Sequence, residues 1–135
     1  MSQNKSVVRR FNHEVIENLD MAAFSDLVSP EFINHSAPPG VSKGSDGFAA
    51  FFTNVLHQAF TDIKVLIHDQ LEENDKVATR KTIEGTHSGP FFGHAKTGKR
   101  ISIQVTDIVH VKGGKYIEHW GSADIYGAIA QISKT

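Results

Sequence analysis

Apolar residues in the first sixty positions recur every three or four residues, which is the spacing of one helix face. The first such stripe consists of Val7, Val8, Phe11, Val15, Ile16 and Leu19. A second, short helix is predicted after Asp20, a residue type that caps helices, and Pro30 must end it. A third stripe runs from Phe48 to Ala59 behind a candidate cap at Ser45. The pattern therefore predicts three N-terminal helices.

After Phe60 the apolar period changes from 3.6 to 2, which is typical of strands. The predicted strands are Asp62–Gln70, Lys76–Thr86, Arg100–Val111 and Tyr116–Ser122, preceded by a short extended piece at Glu31–His35 and a loop at Ser36–Gly47. Asn74-Asp75 and Gly113-Gly114 predict tight turns. Helices first and strands afterwards indicate an α+β fold, with a curved, mostly antiparallel sheet packed against about three N-terminal helices. We expect one domain over residues 1–135, and a pocket between the layers.

The Gly113-Gly114 turn predicts which residues of the C-terminal hairpin share a face. A regular register places Asp107, Val109, Glu118 and Trp120 on one face and Ile108, His110, Ile117 and His119 on the other. Asp124 would then lie away from His110. Because glycine within a strand often marks a bulge, we predict one at Gly121-Ser122, which would bring Asp124 to the face of His110. A carboxylate and an imidazole that meet in an apolar pocket can act as general base and general acid.

The amino-acid composition excludes several kinds of site and partner. The chain has no cysteine, which excludes disulfides, thiolate metal sites and cysteine nucleophiles. Eight histidines invite a metal, but no HExxH or comparable spacing is present, so we expect no metal and no cofactor. A formal net charge of −1 argues against nucleic acid as a partner. No apolar run resembles a secretory or membrane-spanning segment, and we expect a cytoplasmic protein with no membrane partner.

Four segments together resemble one known family. They are EFINHSAPPG (Glu31–Gly40), AFTDIKV (Ala59–Val65), EGTHSGPFFGHAKTGKR (Glu84–Arg100) and DIVHVKGGKYIEHWGSADIYG (Asp107–Gly127). In order and spacing they are similar to the SnoaL-like polyketide cyclases, or ester cyclases, of the nuclear-transport-factor-2-like superfamily. The resemblance covers nearly the whole chain and implies a cone-shaped α+β domain that assembles as a homodimer or homotetramer.

The resemblance also implies a reaction. It is a cofactor-independent intramolecular aldol ring closure on a small hydrophobic or aromatic ester. In this family an Asp after the tryptophan strand acts as acid/base with a His on the preceding strand, and these positions match Asp124 and His110. Asp124 would remove the acidic proton between two carbonyls, and His110 would hydrogen-bond or protonate the carbonyl that becomes the alkoxide.

Other residues are candidates for the wall of the substrate pocket. They are His35, Phe52, His87, Phe92, Ile108 and Trp120. Of these, His35 and the GTHSG segment that contains His87 are carried over from the resemblance. Phe91 and Phe92 either form a rim or lid of the pocket, or fill the core or a dimer contact. His87 is alternatively a hydrogen-bonded structural residue.

Two other functions stay open on the sequence. One is a different pocket reaction, namely isomerisation, dehydration or epoxide hydrolysis. Epoxide opening would need a carboxylate–arginine network around Arg80, which is alternatively a salt-bridge partner of Glu84 or Asp62. The other is a non-catalytic module that binds a small hydrophobic ligand or dimerises.

Overall fold

The protein is an α+β fold in which one five-stranded sheet is covered by helices on one face. The computed structural model describes residues 2–134. The helical segments are α1 (Gln3–Arg10) continued by a π-helical segment π1 (Phe11–Glu17), α2 (Met21–Leu27), α3 (Ser45–Ala50) continued by π2 (Phe51–Leu56) and α4 (His57–Ala59), and α5 (Ile125–Ser133). The strands are β1 (Val28–Asn34), β2 (Phe60–Glu73), β3 (Lys76–His87), β4 (Arg100–Lys112) and β5 (Lys115–Ala123). The predicted fold class and the three N-terminal helical units are confirmed.

The sheet has the strand order β1-β5-β4-β3-β2. All neighbours are antiparallel except β1, which runs parallel to β5 at one edge. Pro30 lies in this edge strand, where its missing N–H group costs least. Asn74 and Asp75 have φ values of 53° and 61°, and Gly113 and Gly114 have φ values of 60° and 77°. Positive φ at both central residues is the type I′ geometry of two-residue hairpins, so both predicted turns are confirmed.

One of the two helix caps predicted from the sequence is confirmed. Asp20 caps α2, since its carboxylate accepts a hydrogen bond from the Ala23 amide at 3.1 Å. Ser45 is not a cap, because α3 begins at Ser45 itself and Gly44 precedes it in extended backbone. Ser42 instead donates to the Asp46 carboxylate at 2.6 Å and so ties the loop to the first turn.

The face of the sheet that the helices cover is called the inner face, and the opposite one the outer face. Along β4 the inner face carries the buried side chains of Ile101, Ile103, Asp107, Val109 and Val111. An aromatic cluster fills the space between this face and the helices. Phe11 is its centre: its ring lies 4.4 Å from Tyr116, 5.6 Å from Phe48 and 5.6 Å from Phe52.

The C-terminal helix α5 was not predicted. Its first turn is capped by Asp124, which accepts from the Gly127 amide at 2.8 Å. Farther along, the Gln131 side chain bonds the backbone N–H and the backbone carbonyl of Ser102, both at 2.8 Å. Gln131 thus extends the hydrogen bonding of β4 beyond the point where β5 ends. In the described part of the chain no helix is long and apolar enough to cross a membrane.

Candidate active site

A bulge in β5 decides which side chains of the C-terminal hairpin face the interior. Val111 pairs with Tyr116, but His110 pairs with Glu118, so Ile117 is the extra residue. The predicted bulge at Gly121-Ser122 is wrong, because the register from His110 to Val105 is regular. A bulge at Ile117 turns Glu118 and Trp120 to the outer face and brings His119 to the inner one. It thereby keeps the Glu118 carboxylate out of the core, where an unpaired charge is costly.

The structure does not bring Asp124 and His110 together. The Asp124 amide donates to the Gln104 carbonyl at 2.9 Å, and its exposed carboxylate caps α5. His110 is six residues farther along β4, which corresponds to about 20 Å of strand. There, on the outer face, its Nδ1 lies 2.8 Å from Glu118 Oε1. The structure therefore corrects the expected pairing of these two residues, because they lie at opposite ends of the paired stretch of β4 and β5.

The residues predicted for the pocket wall also lie in separate places. Ile108, His35 and Trp120 are on the outer face, where the rings of His35 and Trp120 stack at 4.8 Å with an angle of 10° between their planes. Ile108 is partly exposed there. Only Phe52 lies on the inner side, in the aromatic cluster, and it is buried.

The end of β3 and the loop that follows it hold the last two candidates, His87 and Phe92. His87 is fully buried, and its Nδ1 lies 2.9 Å from Thr97 Oγ1. Its backbone carbonyl accepts from the amides of Thr97 and Gly98, so the residue organises the loop. Phe91 is buried edge-on against Phe60 at 4.9 Å, as in the core alternative, whereas Phe92 is 60% exposed.

A cluster of buried and half-buried polar side chains lies on the inner face, and five different elements contribute to it. Its members are Asn12 of π1, Asn34 of β1, Lys81 of β3, Asp107 of β4 and His119 of β5. Lys81 Nζ lies 2.7 Å from Asn12 Oδ1 and 3.3 Å from Asp107 Oδ2. His119 Nε2 lies 3.4 Å from the same Asp107 oxygen, and His119 Nδ1 lies 2.9 Å from Asn34 Oδ1. We call these five residues the inner cluster.

Asp107 is the centre of the inner cluster. Its side chain is only 8% exposed, and Oδ1 is buried without a hydrogen-bond partner, whereas Oδ2 faces both Lys81 and His119. Burial raises the pKa of this carboxyl, but the Lys81 charge and the hydrogen bond from His119 outweigh it. The net pKa of Asp107 therefore lies below the usual 3.8. Asp107 is thus an ionised carboxylate with Oδ2 anchored and Oδ1 buried without a hydrogen-bond partner.

The His119 ring is held from three sides. Asn34 Oδ1 lies 2.9 Å from its Nδ1, and Asp107 Oδ2 lies 3.4 Å from its Nε2. Phe48 packs against it, with 5.1 Å between the ring centroids. Gly121, its neighbour on the same face, leaves the necessary space: a Cβ atom there would lie 2.7 Å from His119 Cε1.

Lys81 supplies the positive charge of the inner cluster. Its side chain is 3% exposed, and a charge that is buried in this way needs partners. Asp107 and the amide oxygen of Asn12 are these partners. Asn12 is fixed in turn, because its Nδ2 donates to the Val8 carbonyl at 2.8 Å. Burial, and then the negative charge of Asp107, raise the pKa of Tyr116 well above its usual value, so its phenol stays protonated.

The surroundings of the inner cluster are apolar on one side, which is formed by the rings of Phe11, Phe48, Phe52 and Tyr116. A surface depression of about 490 Å³ is lined by residues that include Arg80, Gln104, Thr106 and Asp124, and neither Asp107 nor His119 lines it. Two segments of the wall, π1 with Asn12 and π2 with Phe52, are π-helical, a rare geometry that is frequent at functional sites.

The carboxylate–arginine network considered for epoxide opening is not formed around Arg80. Arg80 lies on the outer face and pairs with Asp69 at 2.6 Å, not with Glu84 or Asp62 and not with the inner cluster. Within residues 2–134, no group of three or more potential ligands has the arrangement of a metal site.

Sequence reasoning missed Asp107 and His119 as a pair, although both lie in the C-terminal segment that it singled out. Glu118 and His119 are adjacent, and a one-residue shift of the bulge exchanges their faces. A useful clue was available in the composition of the two faces: the regular register would have buried the Glu118 carboxylate and exposed the His119 imidazole.

Comparison with known proteins identifies the family. The family model described as "SnoaL-like polyketide cyclase" matches residues 6–132. No sequence among the curated proteins matches this chain.

Among solved structures, TsrD from Streptomyces laurentii is 24% identical with a TM-score of 0.86, over 97% of this chain and 95% of that one. IdmH from Streptomyces antibioticus, described as a candidate polyketide cyclase, is 25% identical with a TM-score of 0.85, over 98% of this chain and 100% of that one. An epoxide hydrolase from M. tuberculosis is 16% identical with a TM-score of 0.70, over 96% of this chain and 89% of that one, and so shares the fold. From the match over residues 6–132, the chain belongs to the SnoaL-like polyketide cyclase family.

Proposed function

We propose that the protein is a cofactor-independent enzyme that closes a ring on a small hydrophobic ester by an intramolecular aldol reaction. Asp107 and His119 form its acid–base pair in place of Asp124 and His110. The observation that carries the proposal is the Asp107 carboxylate, which is buried and ionised and has no hydrogen-bond partner at Oδ1, while its other oxygen is anchored.

In this proposal Asp107 removes a proton from carbon. A methylene group between two carbonyls is acidic enough for a carboxylate base, and a site without bulk water removes competition for that base. Lys81 and His119 fix Oδ2, so Oδ1 has a defined direction. The proton would pass from the methylene carbon to Oδ1, and the electron pair would move into the adjacent carbonyl as an enolate.

His119 and Lys81 are suited to the opposite role. The enolate carbon attacks a second carbonyl of the same substrate, and the oxygen of that carbonyl becomes an alkoxide that must be protonated. His119 Nε2 already faces a negative oxygen, Asp107 Oδ2, and a new oxyanion beside it would find the same donor. The Lys81 ammonium adds a positive charge in a water-poor place, where it stabilises negative charge strongly.

Deuterium exchange in D₂O tests the first step separately from ring closure. The probe is an aryl β-keto ester with an acidic methylene, and NMR follows the loss of its methylene signal. We expect the protein to accelerate exchange about 10²–10⁴-fold over buffer, the usual contribution of a positioned acid–base group. Polyketide-like esters with a second carbonyl then test for the cyclised product.

The competing function is that of a non-catalytic hydrophobic-ligand module. It is favoured by the close packing of Phe11, Phe48 and Phe52 near the inner cluster. Saturable binding of the probe with an exchange rate equal to that of buffer would contradict the enzyme and support this module. The homodimer or homotetramer stays a prediction, which light scattering tests.

Gly121→Ala should damage the site without unfolding the protein. The added methyl group would lie 2.7 Å from His119 Cε1, and the ring can move away because it is the end of a side chain. We expect exchange to fall by about tenfold or more, since misplacement of a catalytic group by 1 Å can cost a hundredfold. The melting temperature should change little.

The control for this variant is Gly93→Ala, at a loop glycine where an added Cβ has no neighbour within 4 Å. Its φ of 82° makes that change mildly strained, so it sets the effect of backbone strain alone. Equal exchange rates in the two variants would contradict the role of Gly121.

A further inference from the structure

The outer face carries three polar side chains directly behind the His119 site. Glu118 Oε2 lies 2.9 Å from His35 Nε2, and Glu118 Oε1 lies 2.8 Å from His110 Nδ1. Both carboxylate oxygens are therefore used, and the three residues join β4, β5 and the segment that follows β1. We call His35, Glu118 and His110 the outer clamp.

The outer clamp and the inner cluster share the same stretch of backbone. Asn34 pairs with His119 in the parallel ladder, and the His35 amide donates to the His119 carbonyl at 2.9 Å. Because successive side chains of a strand point to opposite faces, Asn34 and His119 meet on the inner face while their neighbours His35 and Glu118 meet on the outer one. The point at which Asn34 of β1 pairs with His119 of β5 is therefore held by side-chain contacts on both faces of the sheet.

These side-chain contacts matter because β1 is an edge strand that forms few backbone pairs with β5. Its register with β5 shifts between Val28 and Ile33, and only Ile33 and Asn34 pair beyond the shift. The side chains supply what the ladder lacks. The His35 ring also stacks on Trp120 at 4.8 Å, and Ser36 Oγ accepts from the Gly121 amide at 2.8 Å.

We propose that Glu118, through His35 and His110, is a positioning residue for His119. The clamp holds the segment that carries Asn34, and Asn34 accepts from His119 Nδ1, so that Nε2 faces Asp107. This gives His110 and His35 a role without any contact to substrate. It rests on the proposed function for its catalytic consequence, but the orientation of His119 can be measured without catalysis.

The main test is Glu118→Ala, followed by ¹⁵N NMR of the His119 ring and by exchange kinetics on the aryl β-keto ester. We expect the His119 Nδ1 and Nε2 shifts to move as Nδ1 loses its fixed acceptor. We also expect the saturated exchange rate to fall about ten- to hundredfold with KM nearly unchanged, because the defect lies in geometry and not in binding.

Two further variants separate positioning from general stability. Asp69→Ala removes another outer-face carboxylate, one that binds Arg80 and has no contact with the inner cluster, so it should leave the His119 shifts and the rate unchanged. Glu118→Gln keeps one acceptor oxygen and should restore part of the rate.

The outcomes distinguish the two proposals. His119 shifts unaltered in Glu118→Ala, or an equal loss of rate in Asp69→Ala, would overturn the positioning role. If the wild-type protein shows no exchange at all, the proposed function fails, whereas altered His119 shifts in Glu118→Ala would still support the clamp.

Discussion

Asp107→Asn should reduce the accelerated deuterium exchange about 10²–10⁴-fold, to near the rate of buffer. The amide has nearly the shape of the carboxylate but cannot accept a proton from carbon. It retains an oxygen for Lys81 and His119. In the wild-type protein these side chains lie 3.3 Å and 3.4 Å from Asp107 Oδ2. Exchange is measured at a temperature at which circular dichroism shows the variant to be folded.

Asp124→Asn is the matched control for this experiment. Asp124 is exposed and caps α5, and asparagine caps helices about as well as aspartate, so stability should change little. We expect exchange to remain at the wild-type rate. The reverse result, with activity lost in Asp124→Asn and kept in Asp107→Asn, would restore the assignment implied by the family resemblance and reject the inner cluster as the catalytic site.

The difference between these two assignments shows which features of the protein can be predicted from its sequence and which cannot. The apolar periods predicted the three N-terminal helical units and the strands, though not α5, since burial of a stripe or of alternate positions is a local property. Both two-residue turns were predicted for the same reason: Asn74-Asp75 and Gly113-Gly114 tolerate positive φ at both positions. The order of these elements then led to the α+β class.

The site depends on a quantity that is not local. Whether His119 or Glu118 faces the interior is decided by one extra residue, Ile117, in the pairing of β5 with β4. That bulge is favoured by contacts far apart in sequence, namely the stack of Tyr116 on Phe11 inside and the bonds of Glu118 to His35 and His110 outside. Gly121 suggested a bulge at the wrong position, and it is needed instead for the space it leaves beside His119.

The burial of Lys81 also depends on contacts between residues that are far apart in sequence. A lysine on a strand is usually interpreted as a marker of the solvent face, yet this one is buried on the inner face. Its burial is possible only because Asn12 comes from the first helical unit and Asp107 from β4, and neither partner is near it in sequence. The charge of the inner cluster could therefore not be predicted from the strand pattern.

Lys81→Met should cause the largest loss of stability among the variants considered. It removes the ammonium from a pair whose side chains are 3% and 8% exposed and leaves the Asp107 charge buried with His119 alone. Removing one partner of a buried ion pair typically costs about 3–5 kcal/mol. Urea denaturation followed by circular dichroism measures the difference in the free energy of unfolding.

The pH dependence of this loss identifies its cause. In the wild-type protein the pKa of Asp107 lies below 3.8, so its ionised form stabilises the fold above that pH, and the contribution is lost as pH falls through the folded-state pKa. Without Lys81, burial dominates and raises the pKa of Asp107, so the variant is favoured at low pH and loses stability as pH rises. The difference between wild type and variant should therefore be larger at pH 7 than at pH 4.

The double variant Lys81→Met with Asp107→Asn completes the cycle. A neutral amide beside a methionine leaves no uncompensated charge, so the double variant should be more stable than the sum of the two single losses predicts. Additive losses, or a stability difference independent of pH, would show that Lys81 and Asp107 do not interact in the folded protein. A coupled result would establish that the Lys81 charge, which fixes Asp107 Oδ2, is also one that the fold requires.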